Sequence, residues 1–226
     1  MAGRATPLFP LIRQISKRVT PVLLLTPLTA NQLTLISLVL GCGAAWMLMQ
    51  GTQVAVWQGA VLLFGAYVLD NCDGEVARAR GQASPFGAAF DDVADWLVNT
   101  LFFVGLGYGY ADFTGERIWW WLGIAAGAGG TCNYFLAQWF KFRDRRAALE
   151  VDADDDIDED ADETSPTTLG GWLIFAFREL ARADFCFLVL ILAALDGLWL
   201  LLPAGAIGAQ VYWMMSFVRE ARRYHV

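Results

Sequence analysis

The stretch 70-DNCDGEVARARGQASPFGAAFDDVAD-95 decides how this sequence is interpreted. It contains six carboxylates, at positions 70, 73, 75, 91, 92 and 95, within a chain that is otherwise strongly apolar. A charged side chain at hydrocarbon depth costs about 2.5–3.5 kcal/mol and commonly marks a functional site. The acids of this stretch are therefore expected to bind a ligand.

The composition is that of a membrane protein. The 226 residues are 57% hydrophobic and 17% charged, with a mean hydropathy of +0.44, whereas about a quarter of a soluble domain is charged. Ten of the 23 acidic residues lie between positions 150 and 163, so the net charge of −7 mainly describes one segment. That charge carries no information about the partners of the apolar body.

Histidine and cysteine chemistry is excluded from the core. The single histidine is His225, one residue from the end, and the four cysteines are scattered without a C-x-x-C spacing. A zinc site or a disulfide framework is not expected from this pattern. Proton transfer in the apolar body would fall to a carboxylate.

Six apolar segments approach the ~20 residues that cross a bilayer: 31–50, 54–77, 88–110, 118–140, 185–202 and 204–219. We predict an all-α integral membrane fold of six transmembrane helices over 31–226, preceded by an interfacial segment, 1–30. Fifteen of the sixteen Lys and Arg residues fall on the side of the N-terminus, and Arg117 alone lies opposite. The positive-inside rule then predicts that both termini and the acids face the cytoplasm.

The spacing of the acids predicts one cluster. Asp70 and Asp73 are three residues apart, Asp91 and Asp95 are four apart, and residues so spaced share a helix face. The short GQASP link would fold the two helices into a hairpin. Four carboxylates brought together need cations, and all-oxygen ligation favours Mg²⁺ or Mn²⁺. Two such ions commonly hold a phosphate between them.

Written as a pattern, the stretch is D-x2-D-G-x2-A-R-x8-G-x3-D-x3-D, and it resembles the signature of the CDP-alcohol phosphotransferases at every defined position. The segment 29-TANQLT-34 resembles the family's Thr-Pro-Asn-x-x-Thr at the start of the first span. Ala30 stands in place of the proline, a departure expected to loosen the start of that helix while Asn31 and Thr34 are kept.

The resemblance implies transfer of a phosphatidyl group from a CDP-linked donor, usually CDP-diacylglycerol, with release of CMP in phospholipid synthesis. It implies that two divalent ions are held by four aspartates, Asp70, Asp73, Asp91 and Asp95, and that Asp95 is also the general base. Donor binding would involve Asn31, Gly74, Ala77, Arg78 and Gly87. The implied partners are membrane lipids and a second copy in a homodimer, with no nucleic acid, in the inner membrane if the source is bacterial.

The acceptor is predicted only as a small polar alcohol. Four basic residues exceed what membrane anchoring needs, and they favour a phosphorylated polyol such as inositol phosphate or glycerol phosphate: Lys141, Arg143, Arg178 and Arg182. A donor in which CDP carries the small alcohol, with a lipid as acceptor, stays open.

Two other function classes compete with this interpretation. The acids could line an ion path in a non-catalytic cation-binding or transport protein. Alternatively, 91-DDVAD-95 could act as the D-D-x-x-D motif of an intramembrane prenyltransferase, in which case Asp92 would join the site.

Three further segments carry expectations of their own. Residues 147–168 are expected to form an acidic disordered loop, and 169–182 has the mixed apolar and basic pattern of an interfacial segment. The glycine-rich run 123-GIAAGAGG-130 predicts close helix packing, within the fold or at a dimer seam.

Overall fold

The protein is described here by a computed structural model, which covers residues 11–150 and 184–223. The described part is helical throughout and contains no strand, so the all-α prediction is confirmed. The helices are α1 (Leu11–Leu23), α2 (Ala30–Met49), α3 (Gln53–Ala79), α4 (Pro85–Thr114), α5 (Ile118–Glu150), α6 (Phe185–Ala194) and α7 (Leu201–Arg223), with a 3₁₀ turn at Leu198–Leu200.

Three helical segments are long and apolar enough to cross a membrane: Ala30–Met49, Gln53–Ala79 and Leu198–Val218. Helices α4 and α5 are longer still, at 30 and 33 residues, and they carry the polar side chains described below. This pattern agrees with the predicted association with a membrane.

The fifth predicted span, 185–202, is not one continuous helix. Helix α6 has 10 residues and ends at Ala194, and α7 begins only at Leu201. Between them Asp196 adopts a left-handed conformation with φ of 52°, which aspartate tolerates better than most residues. Asp196 therefore lies in an exposed turn and not inside a span. The Asp196-Gly197 pair is itself typical of a turn, whereas hydropathy alone does not reveal one, because the run is apolar on both sides.

Helix α2 begins with a complete capping box, so the expected loosening at Ala30 is wrong. The Thr29 side chain accepts a hydrogen bond from the Gln32 backbone N–H, and the Gln32 side chain accepts one from the Thr29 N–H. Two backbone donors at the helix start are satisfied in this way. The cap replaces the constraint that a proline would impose.

Glycines bring α4 into backbone contact with its neighbours. A Cβ added at Gly109 would lie 2.0 Å from the carbonyl oxygen of Leu48 on α2, and one at Gly105 would lie 2.6 Å from that of Ala45. On α5, a Cβ at Gly123 would lie 3.0 Å from the Cα of Gly107. The predicted close packing of the glycine-rich run thus occurs within the fold at Gly123, and α4 is fixed between α2 and α5.

Helix α5 continues through Glu150, so the predicted loop does not begin at 147. Residues 147–150 are Ala, Ala, Leu and Glu, all good helix formers, and they extend the helix. The remainder of the acidic loop, the segment 169–182, and the candidate acceptor residues Arg178 and Arg182 lie outside the described residues.

Candidate active site

Three of the four signature aspartates form a compact cluster. Asp70 and Asp73 lie on α3, Asp91 lies on α4, and one carboxylate oxygen from each falls within 4.8 Å of the other two. Asp95 lies one turn further along α4, about 6 Å along the helix axis at 1.5 Å per residue, and it is not a member of this compact group. The helical hairpin therefore brings together the acids that were predicted to meet, and Asp95 adjoins the compact group through the Asp70 side chain.

The chemistry of the cluster fits a divalent cation. At an effective dielectric constant of about 20, two unit charges 4.8 Å apart repel by about 3.5 kcal/mol. Among the described residues, Asp91 Oδ1 is a buried side-chain oxygen without a hydrogen-bond partner, a state that normally calls for one. A hard cation would offset the repulsion and supply the missing contact, since carboxylate oxygens are the ligands such ions prefer.

Thr34 of α2 holds one ligand of the cluster in place. Its hydroxyl donates a hydrogen bond to Asp73 Oδ2, and both side chains are buried. The contact ties α2 to α3 at the level of the acids, so the TANQLT segment contributes directly to the site.

A cavity of about 210 Å³ opens beside the cluster and is called cavity A here. Its walls come from α2, α3, the α3–α4 link and α4, and they include Asp73 and Asp91. Every residue predicted to bind the donor lines it: Asn31, Gly74, Ala77, Arg78 and Gly87. Residues separated by more than 50 positions in sequence are thus assembled around one space.

The glycines of cavity A have side-chain neighbours where a Cβ would point. A Cβ at Gly87 would lie 3.1 Å from Asn31 Oδ1, and one at Gly74 would lie 3.3 Å from an Arg78 guanidinium nitrogen. Any larger residue would occupy the cavity or displace these polar groups. Because glycine has no side chain at these positions, a ligand in cavity A can approach the helix backbone closely.

A second cavity, of about 350 Å³, lies between α4, α5 and α7 and is called cavity B. Asp95 lines it, together with polar side chains that include Asn99, Asn133, Gln138 and Lys141. Lys141 forms an ion pair with Asp92 at 2.8 Å, and Gln138 donates to the same carboxylate oxygen at 3.1 Å. Asp92 is thus paired away from the acid cluster, contrary to the role a D-D-x-x-D motif would require.

The predicted acceptor residues are therefore only partly assembled. Lys141 lines cavity B. Arg143 lies with its guanidinium carbon 5.1 Å from the centre of the Phe140 ring and is not part of the cavity wall.

Several residues around the site were not singled out by the sequence. Glu75 accepts hydrogen bonds from Ser16 at 2.7 Å and Thr20 at 2.6 Å on α1, so it serves the contact of α1 with α3 and not the acid cluster. Asp184 accepts from the backbone N–H groups of Leu11 and Ile12, both at 2.8 Å, and so caps α1 from 172 residues away. Such a distant cap leaves no local sequence signal, because capping motifs are recognised by short spacing.

Residues 27–149, more than half of the chain, match the family model described as CDP-alcohol phosphatidyltransferase. The chain belongs to the CDP-alcohol phosphatidyltransferase family. These are membrane transferases of phospholipid synthesis that use divalent metal ions, so the predicted family and enzyme class are confirmed. Membership favours this class over the cation transporter and the prenyltransferase.

Curated relatives and a solved structure agree with the family assignment. A bifunctional IPC transferase and DIPP synthase from Rubrobacter xylanophilus is 38% identical over 118 residues, which are 52% of this chain and 26% of that protein. An archaetidylinositol phosphate synthase from Pyrococcus horikoshii is 32% identical over 100 residues, 44% of this chain and 52% of that protein. The chain thus spans about a quarter to a half of the length of these relatives.

The fold also resembles that of a crystal structure, the phosphatidylinositol phosphate synthase of Mycobacterium tuberculosis with CDP-DAG bound. The TM-score is 0.54 at 20% identity, covering 89% of this chain and 92% of that one. At this identity the likeness concerns the fold, and it extends beyond the residues matched by the family model.

Proposed function

We propose that this protein transfers a phosphatidyl group from CDP-diacylglycerol to a hydroxyl of a phosphorylated polyol and releases CMP. The observation that carries the proposal is the arrangement of two cavities along α4. Asp91 lines cavity A, and Asp95, one turn away, lines cavity B. A reaction between two substrates needs two such sites that meet at the reacting atoms.

Cavity A is the proposed donor site. It combines two aspartates of the metal cluster with the accessible helix backbone at Gly74 and Gly87. Asp70, Asp73 and Asp91 would hold the divalent ions, with Asp95 close enough to complete the set. Bound ions would neutralise the diphosphate charge. That the M. tuberculosis structure contains CDP-DAG supports a donor of this kind.

The proposed reaction forms one P–O bond and breaks another. The acceptor oxygen attacks the phosphorus that carries the diacylglycerol, and the bond from that phosphorus to the bridging oxygen of CMP breaks. CMP leaves with the electron pair. The acceptor hydroxyl must lose its proton as its oxygen bonds to phosphorus, and Asp95 is the carboxylate of the signature that faces cavity B.

The backbone of Asp95 is held in place by its neighbours. Its backbone carbonyl accepts a hydrogen bond from Asn99 at 2.9 Å, and Asn99 in turn accepts one from Tyr67 at 3.1 Å. These contacts fix the turn of α4 that carries Asp95, and Asp95 lines cavity B beside the acid cluster. We therefore assign Asp95 the role of general base, in addition to a place among the metal ligands.

Cavity B is the proposed acceptor site. Its amides and hydroxyls suit a polyol, and the Lys141 ammonium at its edge suits a phosphate. The name of the Pyrococcus relative, archaetidylinositol phosphate synthase, supports inositol phosphate among the phosphorylated polyols. Arg178 and Arg182 are proposed to add positive charge to this site.

The membrane topology is proposed from the distribution of basic residues. We infer six spans over 31–226 with both termini and both cavities toward the cytoplasm, since fifteen of the sixteen basic residues fall on that side. The segment 1–30 would then lie at the interface with α1 against α3. We also propose that the protein forms a homodimer, as the resemblance to the family implies.

The test is release of CMP from CDP-diacylglycerol by the purified protein with Mg²⁺ or Mn²⁺. Inositol phosphate, glycerol phosphate, inositol and serine would be offered separately, beside a blank without acceptor. Metal-dependent release with a phosphorylated polyol is the expected result. Release only with serine or with unphosphorylated inositol would overturn the acceptor assignment, and the absence of both CMP release and CDP binding would overturn the donor.

A further inference from the structure

Arg80 makes an unusual set of contacts just beyond the signature. It is half-buried, whereas Arg78, two residues earlier in the sequence, is exposed. Its guanidinium donates to backbone carbonyl oxygens at the end of α1 and in the segment that joins α1 to α2: Leu23 at 3.4 Å, Leu24 at 3.1 Å, Thr26 at 2.6 Å, and Leu28 through the other terminal nitrogen. One side chain thus binds four carbonyls within six residues.

Three of these carbonyls, those of Leu24, Thr26 and Leu28, have Arg80 as their hydrogen-bond donor, whereas the Leu23 carbonyl also accepts from the backbone N–H and the hydroxyl of Thr26. Leu23 ends α1 and Leu24 follows it, and carbonyls at this end of a helix have no intrahelical donor and carry a partial negative charge. A guanidinium presents five N–H groups in a rigid plane and can satisfy several acceptors together. Arg80 therefore holds the 24–28 segment in one conformation.

This segment leads directly into one wall of cavity A. Residue 28 is followed by Thr29, which caps α2, and Ala30 and Asn31 then line the cavity. The Ala30 N–H also donates to the Gln82 side chain at 3.4 Å. The α3–α4 link and the start of α2 are thus held together on both sides of the opening of cavity A.

We propose that Arg80 is a positioning residue for the CDP donor: it fixes the 24–28 segment and so places Asn31 across cavity A from Gly87. This inference rests on the proposed function, because it assumes that CDP binds in cavity A. It concerns the donor only, since cavity B is lined by α4, α5 and α7 and receives no residue from that segment.

The experiment compares the wild-type protein with Arg80→Ala, Arg80→Lys and the control Arg18→Ala, an exposed arginine on α1. Affinity for CDP would be measured by titration of the purified proteins with Mg²⁺ present, and KM would be measured for donor and acceptor separately. We expect Arg80→Ala to weaken CDP binding and raise the donor KM about tenfold, the scale of one charge-assisted hydrogen bond, with the acceptor KM unchanged. Arg80→Lys should recover only part of the loss, because an ammonium lacks the planar fork.

Hydrogen–deuterium exchange gives a readout that does not depend on activity. Amides of residues 24–30 should exchange faster in Arg80→Ala than in the wild-type protein, and Arg18→Ala should leave them unchanged. Equal CDP affinity in wild type and Arg80→Ala, or donor and acceptor KM values that rise together, would overturn the inference alone. A wild-type protein that binds no CDP would overturn the proposed function, and this inference with it.

Discussion

Cavity A and cavity B share helix α4 as a wall, yet they are built from different kinds of sequence. The walls of cavity A come from short, recognisable segments: TANQLT on α2 and the aspartate–glycine pattern on α3 and α4. The walls of cavity B come from single polar residues scattered over α4, α5 and α7, including Asn99, Asn133 and Gln138. Under the proposed function, the donor site leaves a recognisable pattern in the sequence, whereas the acceptor site leaves isolated side chains.

The largest expected effect lies at the boundary between the two cavities. Replacing Asp95 with Asn should lower turnover by about 10²- to 10⁴-fold, the usual contribution of a general base, while CDP still binds with metal. Titration with CDP and single-turnover CMP release would measure the two quantities. Asp70→Asn serves as the matched variant, because Asp70 belongs to the compact cluster; a loss of CDP binding in Asp95→Asn as large as in Asp70→Asn would contradict the assignment.

A pair of glycine substitutions should separate the two cavities. Gly87→Ala places a methyl group 3.1 Å from Asn31 Oδ1 in cavity A and should raise the donor KM about tenfold, the scale of one misplaced polar contact. Gly130 lines cavity B, and a Cβ there meets nothing within 4 Å, so Gly130→Ala should leave the donor KM unchanged. Steady-state kinetics with each substrate varied in turn would decide, and equal donor KM values for the two variants would show that the cavities are not separate sites.

Removing the positively charged side chain of Lys141 from cavity B should change the KM for the acceptor alone. Lys141→Ala should raise the KM for a phosphorylated acceptor by about five- to tenfold, since its ammonium is half-exposed and already paired with Asp92. The donor KM should not change. Lys17→Ala, an exposed lysine on α1, controls for a general loss of positive charge. If the KM for a neutral polyol rose as much as that for its phosphate, Lys141 would not be a phosphate ligand.

The smallest effect is expected outside both cavities. Deletion of residues 151–163 removes most of the acidic run but none of the residues that line cavity A or cavity B. CMP release should stay within about twofold of wild type, as expected for a segment whose composition disfavours a packed core. A folded deletion variant with a large loss of turnover would show that the acidic run takes part in substrate binding.

The contrast between the cavities also explains what could be predicted from sequence. The acid cluster follows from residue spacing on two helices joined by a short link, whereas the donor-binding residues that line cavity A were predicted from the resemblance to the family. The break at Asp196 has a sequence signal in the Asp196-Gly197 pair, but hydropathy alone does not show it, because the flanking runs are equally apolar. The ion pair of Asp92 with Lys141 and the cap of α1 by Asp184 join residues 49 or more positions apart, and only the packing of the helices brings them into contact.

The glycine crossing of α2 and α4 bears on how proteins of this kind can diversify during evolution. At Gly105 and Gly109 the two backbones leave no room for even a methyl group, so a larger residue at either position would push apart α2 and α4, two of the helices that carry cavity A. Helices α5 and α7 can exchange the side chains that face cavity B without disturbing that crossing. New acceptor preferences could therefore arise by ordinary substitution on one side of α4, while the donor and the chemistry are inherited unchanged.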